Sequence, residues 1–265
     1  ARFVFRARWQ QSRSQCPGVP MGACCCLAQA PWEASDVPLL AIDSDDPPRS
    51  AIVWMHGLGD TEKNWNTLLK REVLPLLDPA CSPCMLVTPR APNAPVACNG
   101  GRCMTSWFDI RRLPIGAGEC PPHFGCSLPD AEVSAQRIHA ILDQLCEAGV
   151  PSEKIAIGGF SQGGALAMLS ALHYPERLAC CVVFSGLLVG SDKLDRLINP
   201  RNKDLEVLWC HGVQDMVLLP SLQRFGCQAL EAAGVTTCQR QYNVGHKSTE
   251  KERAEAAEFL SEHLR

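Results

Sequence analysis

The sequence predicts an α/β fold with a mostly parallel central sheet and helices on both faces. Short continuous apolar runs, such as residues 51–55 and 180–184, are typical of strands buried on both faces of a parallel sheet. Segments with helical spacing lie between these runs; within one of them, Ile138, Ile141 and Leu145 fall on a single face. Because such strands and helices alternate along the chain, a parallel sheet is favoured over separate α and β regions.

The same patterns locate the individual elements in chain order. Strands are predicted at residues 51–55, 85–88, 155–157, 180–184, 207–209 and 237–242. Helices are predicted at residues 65–77, 130–147, 163–172, 222–233 and 252–264. Residues 89–129 are rich in Pro, Gly and Cys and show little periodicity. Because a loop of that length inside a compact domain is usually a functional element, we interpret it as a lid.

Composition and periodicity divide the chain into two parts. Residues 1–35 are rich in Arg and Gln, then in Cys, and we expect a disordered or targeting segment there. Residues 36–265 are expected to form one domain, which includes the lid-like loop 89–129. The formal net charge of -3 gives no reason to expect a nucleic-acid partner. The oligomeric state is left open.

The cysteines bear on both metal binding and cellular compartment. Six of the sixteen fall in one loop-rich stretch, at Cys81, Cys84, Cys98, Cys103, Cys120 and Cys126. No second C-x-x-C pair and no H-x-x-x-H segment completes a zinc site, so we expect no metal. Reduced thiols in a cytoplasmic protein are the default expectation, and a secreted, disulfide-bonded form is the alternative that stays open.

A candidate nucleophile lies in the segment Gly159-Phe160-Ser161-Gln162-Gly163. This G-x-S-x-G pattern is informative only where a strand enters it and a helix leaves it, and both are predicted here. The small residues allow the two backbones to approach at a tight turn, and the helix N-terminus favours negative charge. The alternative is a phosphate-binding glycine turn, but neither of the usual phosphate-binding glycine patterns is present in the segment.

A serine nucleophile needs a base and an orienting carboxylate, which in such sheets follow it in the order acid, then histidine. Of the later histidines, His246 lies in a loop between the last strand and the last helix, and we select it as the base. His211 ends a strand and is interpreted as structural. Asp215 follows the same strand and is the candidate acid, ahead of competitors in a polar connecting segment. Those competitors are Asp192, Asp195 and Asp204.

An oxyanion hole requires backbone N–H donors where negative charge develops. Gln162, which follows the candidate nucleophile, is expected to provide one donor. Leu58, in the loop His56-Gly57-Leu58-Gly59-Asp60 after the first strand, is the candidate for the other. His56 is expected to hold this loop.

With these residues in view, the sequence resembles the acyl-protein thioesterases and lysophospholipase-like carboxylesterases of the α/β-hydrolase superfamily. The matching segments run in order from about residue 50 to the C-terminus: HGLGDT, PRAP, SWFDI, GGFSQGGALA, HG-x-x-D and the GH that ends at His246. The resemblance implies an α/β-hydrolase fold, a triad of Ser161, Asp215 and His246, and oxyanion donors at Leu58 and Gln162. It also implies an acyl channel near SWFDI, with Trp107 and Leu187 as wall residues; the alternative is that these two side chains are part of the core.

By this resemblance the chain is a serine hydrolase that forms an acyl-serine intermediate and needs no cofactor. The expected substrates are an acylated protein, a lysophospholipid or a small ester. The alternatives are a general short-chain carboxylesterase and a non-catalytic α/β-hydrolase that binds ligands. Residues 97–129 are Cys-rich and longer than is usual in the family, which leaves the substrate preference open.

The N-terminal segment contains a second pattern, MGACCC, at residues 21–26. If Met21 is the initiator, acylation of Gly22 together with Cys24, Cys25 and Cys26 would provide the two anchors that stable membrane attachment needs. The motif favours Ser or Thr where Cys26 stands. The other interpretation, a disordered Cys-rich leader, is the one that we favour. The expectation is a cytoplasmic protein that is membrane-associated if acylated.

Overall fold

The computed structural model describes residues 47–116 and 125–265. The N-terminal segment, including Gly22 and the three consecutive cysteines, lies outside the described residues, so its predictions are not tested here. Within the described ranges, no helix is long and apolar enough to cross a bilayer.

Eight strands and six α-helices make up the regular structure of these ranges. The strands are β1 (Ser50–Met55), β2 (Cys84–Val87), β3 (Asn93–Val96), β4 (Arg102–Thr105), β5 (Ile155–Phe160), β6 (Cys180–Phe184), β7 (Glu206–Gly212) and β8 (Thr236–Tyr242). The helices are α1 (Glu62–Glu72), α2 (Leu128–Glu147), α3 (Gln162–His173), α4 (Leu194–Leu197), α5 (Ser221–Ala232) and α6 (Glu250–Leu264).

The main sheet has six strands in the order β2-β1-β5-β6-β7-β8, and every neighbouring pair is parallel. One hydrophobic cluster joins one face of the sheet to α2, α3 and α5, through Ile138, Leu166 and Leu222. The other cluster joins the opposite face to α1 and α6, through Trp65 and Leu260. The predicted α/β architecture is therefore confirmed. Because all six strands run the same way, their carboxyl ends meet at one edge, where such sheets place ligand sites.

The long segment 89–129 differs from the plain loop that the sequence suggested. β3 and β4 form an antiparallel pair within it, with Asn93 opposite Thr105 and Val96 opposite Arg102. Period-2 alternation is weak in strands this short, so the sequence pattern did not reveal them. Two isolated bridges pair Ile110 with Cys126 and Ile115 with Leu218, in the described parts of the segment on either side of residues 117–124.

Two helix predictions also need correction. α1 begins at Glu62 and ends at Glu72, and residues 74–76 form a separate short 3-10 turn instead of continuing the helix to residue 77. α2 begins at Leu128, two residues earlier than predicted, with proline in its first turn and the Ser127 hydroxyl accepting the Asp130 N–H. A proline near a helix start costs no hydrogen bond, because the first N–H groups have no partner within the helix.

The expectation of reduced thiols is wrong at Cys103, in the loop-rich stretch. Cys103, on β4, is disulfide-bonded, whereas Cys81, Cys84 and Cys98 are free thiols. Among the described residues, no group of three or more His, Cys, Asp or Glu side chains is arranged to hold a metal ion.

The close packing of α3 on β1 can be tested by substitution of a glycine. A Cβ added to Gly163 would lie 2.3 Å from the Met55 carbonyl oxygen and 2.4 Å from that of His56, both rigid backbone atoms. We therefore expect Gly163→Ala to lower the free energy of unfolding by at least about 2 kcal/mol, measured by urea denaturation. Gly245→Ala is the control, because its Cβ would meet nothing closer than 3.6 Å. Equal stability of the two variants would contradict this packing.

Candidate active site

Ser161 occupies the turn that joins β5 to α3, with φ 57° and ψ −120°. This positive φ is uncommon for a residue other than glycine and stores backbone strain. The turn is held from both sides, because the Ser161 N–H donates to the Phe184 carbonyl on β6 at 2.8 Å and the Ser161 carbonyl accepts the Ala165 N–H on α3. A Cβ at Gly159 would lie 2.4 Å from the Gly163 carbonyl, so the turn closes only with glycine there. The strand–turn–helix context predicted for Ser161 is present.

His246 and Asp215 form a hydrogen-bonded chain with Ser161. The Nε2 atom of His246 is 2.9 Å from Ser161 Oγ, and its Nδ1 atom is 2.6 Å from Asp215 Oδ2. A carboxylate can only accept, so Nδ1 carries the proton and Nε2 accepts from the serine hydroxyl. The three residues follow β5, β7 and β8 at one edge of the sheet, in the predicted order serine, aspartate, histidine.

The environment of Asp215 keeps its carboxylate ionised. Burial by itself would favour the neutral acid, but the hydrogen bond from His246, and the positive charge of that imidazole when it is protonated, lower the pKa of Asp215. The backbone N–H groups of Val217 and Leu218 act in the same direction, each donating to Oδ1 at 2.9 Å. His246 Nδ1 bonds Asp215 and none of the competing acids Asp192, Asp195 and Asp204.

The buried imidazole of His211, at the end of β7, also supports Asp215. His211 Nε2 lies 2.8 Å from the Leu218 carbonyl oxygen and 3.5 Å from Asp215 Oδ2. Burial lowers the pKa of His211, so the ring is neutral at physiological pH and donates its Nε2 proton to Leu218. His211 is thus structural, as the sequence suggested, and it fixes the 215–218 turn that carries the acid.

Leu58 and Gln162, the predicted oxyanion residues, line the same cavity as Ser161 and His246. Gln162 is the first residue of α3, so its N–H has no acceptor within the helix and points outward from the helix N-terminus. Leu58 lies in the loop after β1, which His56 holds in place. His56 Nε2 accepts the Ala91 N–H at 3.0 Å, which leaves the proton on Nδ1 to bond the Gly57 carbonyl at 2.8 Å.

The Gln162 side chain ties the site to the SWFDI segment. Its Oε1 atom accepts the Trp107 N–H at 3.0 Å, and its Nε2 atom donates to the Phe108 carbonyl at 2.7 Å and to Ser106 Oγ at 3.0 Å. The Trp107 indole N–H donates to the His56 carbonyl at 2.8 Å. Trp107 is buried and does not line the cavity, contrary to its expected place in the wall. It joins the two loops behind the cavity.

The cavity beside Ser161 has a volume of about 250 Å³ and a mostly apolar lining. Leu187 lies in its wall, as expected. Sequence reasoning missed the other wall residues, which are Asn99, Met104, Ile110, Leu113, Val217 and Leu218. They come from separate segments that only the folded chain brings together, so no local pattern identified them. The arrangement brings together a hydroxyl bonded to an imidazole, the N-terminus of α3 and an apolar cavity. This combination suits attack on an acyl group, whose carbonyl oxygen becomes negative during the reaction.

Aromatic rings pack behind the base. The rings of Phe160 and His246 have centroids 4.9 Å apart, and Trp65 lies on Phe160 at 5.5 Å. The Trp65 indole N–H donates to Asp60 Oδ2 at 3.0 Å, and Asp60 belongs to the loop 56–60 that contains Leu58. His246 and this loop are therefore connected through the packed rings of Phe160 and Trp65.

Comparison with known proteins was made on sequence and on structure. A model of the phospholipase/carboxylesterase family matches residues 40–264. The chain is 33% identical over 222 residues to a probable carboxylesterase of Oryza sativa subsp. japonica, covering 82% of this chain and 79% of the relative. It is 31% identical over 183 residues to acyl-protein thioesterase 1 of Cryptococcus neoformans, covering 68% and 71%. The crystal structure of Arabidopsis thaliana SOBER1 superposes with a TM-score of 0.75 at 31% identity, covering 82% of this chain and all of that one (100%).

The bond from His211 to Leu218 generates a prediction. His211→Leu removes the N–H donor and leaves a buried carbonyl unpaired, which costs about 1–3 kcal/mol and loosens the turn that holds Asp215. We expect kcat/KM on a chromogenic ester to fall by about tenfold. His211→Gln keeps an N–H at a similar distance and should recover most of the loss, provided urea unfolding shows both variants folded. Equal activity in the two variants would show that the donor is unimportant.

Proposed function

The chain belongs to the phospholipase/carboxylesterase family of α/β-hydrolases, and we propose that Ser161, His246 and Asp215 are its catalytic triad. The enzyme hydrolyses acyl esters or thioesters. The observation that carries the residue assignment is the continuous chain of hydrogen bonds from Asp215 through His246 to Ser161, at 2.6 and 2.9 Å, which ends at an apolar cavity.

In the first half of the reaction, Ser161 Oγ attacks the acyl carbon while His246 Nε2 takes the hydroxyl proton. Asp215 holds the imidazole in the required tautomer and stabilises the positive charge that forms. The carbonyl oxygen becomes negative and is stabilised by the N–H groups of Leu58 and Gln162. Collapse of this intermediate returns the proton from His246 to the departing alcohol or thiol and leaves an acyl-serine.

In the second half, a water molecule replaces the alcohol or thiol. His246 Nε2 removes a proton from this water as its oxygen attacks the acyl carbon. The same oxyanion donors stabilise the second tetrahedral intermediate. When it collapses, Ser161 recovers its proton from His246 and the carboxylic acid leaves. All of these steps use protons and electron pairs supplied by the substrate, water and the triad.

The cavity lining supports a medium or long acyl chain as the group transferred. A cavity of about 150 Å³ accommodates benzene, so one of about 250 Å³ encloses about ten carbon atoms. Leu58, Met104, Ile110 and Leu187 offer an apolar environment along this volume. We propose an acylated protein or a lysophospholipid as the physiological substrate. The name of the Cryptococcus relative, an acyl-protein thioesterase, is in keeping with the first of these.

Two other functions compete with this proposal. A general carboxylesterase for short-chain esters would use the same triad and would leave most of the cavity unfilled. A non-catalytic α/β-hydrolase would bind ligands only, and such a protein has no need for a hydroxyl, an imidazole and a carboxylate in hydrogen-bonding contact. The observed contact among Ser161, His246 and Asp215 favours catalysis.

Covalent labelling tests the triad. We expect the wild-type protein to react with a fluorophosphonate probe, because an activated serine attacks phosphorus as it attacks an acyl carbon. Ser161→Ala should abolish labelling, and His246→Ala should slow it by about a thousandfold or more. Ser170→Ala is the matched control, since this buried serine lies on α3 and not in the cavity. A folded wild-type protein that is not labelled would contradict the proposal.

A series of acyl thioesters from acetyl to palmitoyl tests the substrate class. If the cavity binds the acyl chain, kcat/KM should rise by about threefold to fourfold per methylene until the cavity is filled, because each buried methylene contributes about 0.8 kcal/mol. The rise should end near ten carbons. A series that falls from acetyl onward would favour the short-chain carboxylesterase.

A further inference from the structure

Large apolar side chains are exposed on the segments that border the cavity. Five large hydrophobic residues of the described ranges are exposed, and three belong to segments that border the site: Leu113 at 39%, Val213 at 45% and Met216 at 75%. We call these three residues the apolar rim. Leu113 itself lines the cavity, and Val213 and Met216 flank the triad acid along the chain. Exposed apolar groups concentrated at a site commonly mark an interaction surface.

The apolar rim rests on fixed backbone. The Ile115 N–H donates to the Val217 carbonyl at 3.0 Å, and the Leu219 N–H donates to the Ile115 carbonyl at 2.8 Å. These bonds hold the segment that carries Leu113 beside the segment that carries Met216. The Asp215 carboxylate, which accepts the N–H groups of Val217 and Leu218, fixes the same turn from within. The apolar side chains are therefore presented to solvent by a rigid support.

Basic residues accompany the apolar rim. Arg111 is exposed two residues before Leu113, and Lys247 is exposed next to His246. Of the acids in the neighbouring segments, Asp215 is buried and bonded to His246, and Asp109 is half-buried and accepts the Ala97 N–H at 2.8 Å. Exposed apolar groups with adjacent cations are the combination that binds anionic lipid surfaces.

We propose that the apolar rim docks on an anionic lipid surface, with Met216 and Val213 entering the interface and Arg111 and Lys247 facing the headgroups. This orientation points the cavity mouth at the lipid, so an acyl chain can pass between the bilayer and the cavity without crossing water. The purpose of the docking rests on the proposed function. The binding itself does not, because it needs no catalysis.

A vesicle sedimentation assay tests the docking separately from hydrolysis. Full-length protein carrying Ser161→Ala is mixed with phosphatidylcholine vesicles, with or without phosphatidylserine. We expect binding to the phosphatidylserine vesicles that weakens as salt is raised. Adding Val213→Ser and Met216→Ser should reduce the partition coefficient by about tenfold. Arg111→Gln should reduce binding to phosphatidylserine vesicles only.

The matched control is a variant with Leu76→Ser and Val133→Ser. These two residues are exposed to a similar degree, at 56% and 50%, but belong to the 3-10 turn 74–76 and to α2, and neither lines the cavity. We expect this variant to bind like the parent, which would show that the position of the apolar groups matters. The proposal is overturned if the two double variants bind vesicles equally well, or if binding does not depend on phosphatidylserine. Fluorophosphonate labelling of Ser161 reports on the proposed function independently.

Discussion

The strained backbone at Ser161 is the constraint on which the rest of the site depends. A residue with φ 57° persists only when its surroundings hold it, at a cost of about 1–3 kcal/mol. Here the conformation of Ser161 is stabilised by β6, because the Phe184 carbonyl accepts the Ser161 N–H. Glycines also stabilise it, because they allow α3 to pack closely against β5 and β1. The result is a hydroxyl presented above the sheet edge, at the N-terminus of a buried helix. His246, Asp215 and the oxyanion loop are placed around that one point.

Three histidines near this point differ in role because they differ in burial and partners. His56 and His211 are fully buried at the ends of β1 and β7, and burial lowers the pKa of each. Both therefore stay neutral and serve as hydrogen-bonding supports, one for the oxyanion loop and one for the turn of Asp215. His246 lies in a loop, is partly exposed, and bonds a carboxylate on one side and a hydroxyl on the other. Of the three, only His246 is placed for the proton exchange that we propose.

Sequence reasoning succeeded where the signal is local and failed where it is not. The strand, turn and helix around Ser161 follow from adjacent residues. Chain order made Asp215 and His246 the candidate partners, and the fold places them within hydrogen-bonding distance of one another and of Ser161. The β3–β4 pair was missed because two four-residue strands carry too little alternation to recognise. The cavity wall was mostly missed because its residues come from distant segments. Trp107 was placed in the wall from a resemblance, although its indole N–H bonds the His56 carbonyl behind the site.

The acyl-serine is the chemical species that most directly tests the account. The protein is mixed with a long-chain acyl thioester, quenched in acid within the first turnover and digested with trypsin, which releases residues 155–177 as one peptide. Tandem mass spectrometry then locates the acyl group among the hydroxyl-bearing residues of this peptide, which are Ser161, Ser170 and Tyr174. The account predicts the acyl mass on Ser161 and none after Ser161→Ala. An acyl group on another residue, or product formation with no acylated peptide, would contradict it.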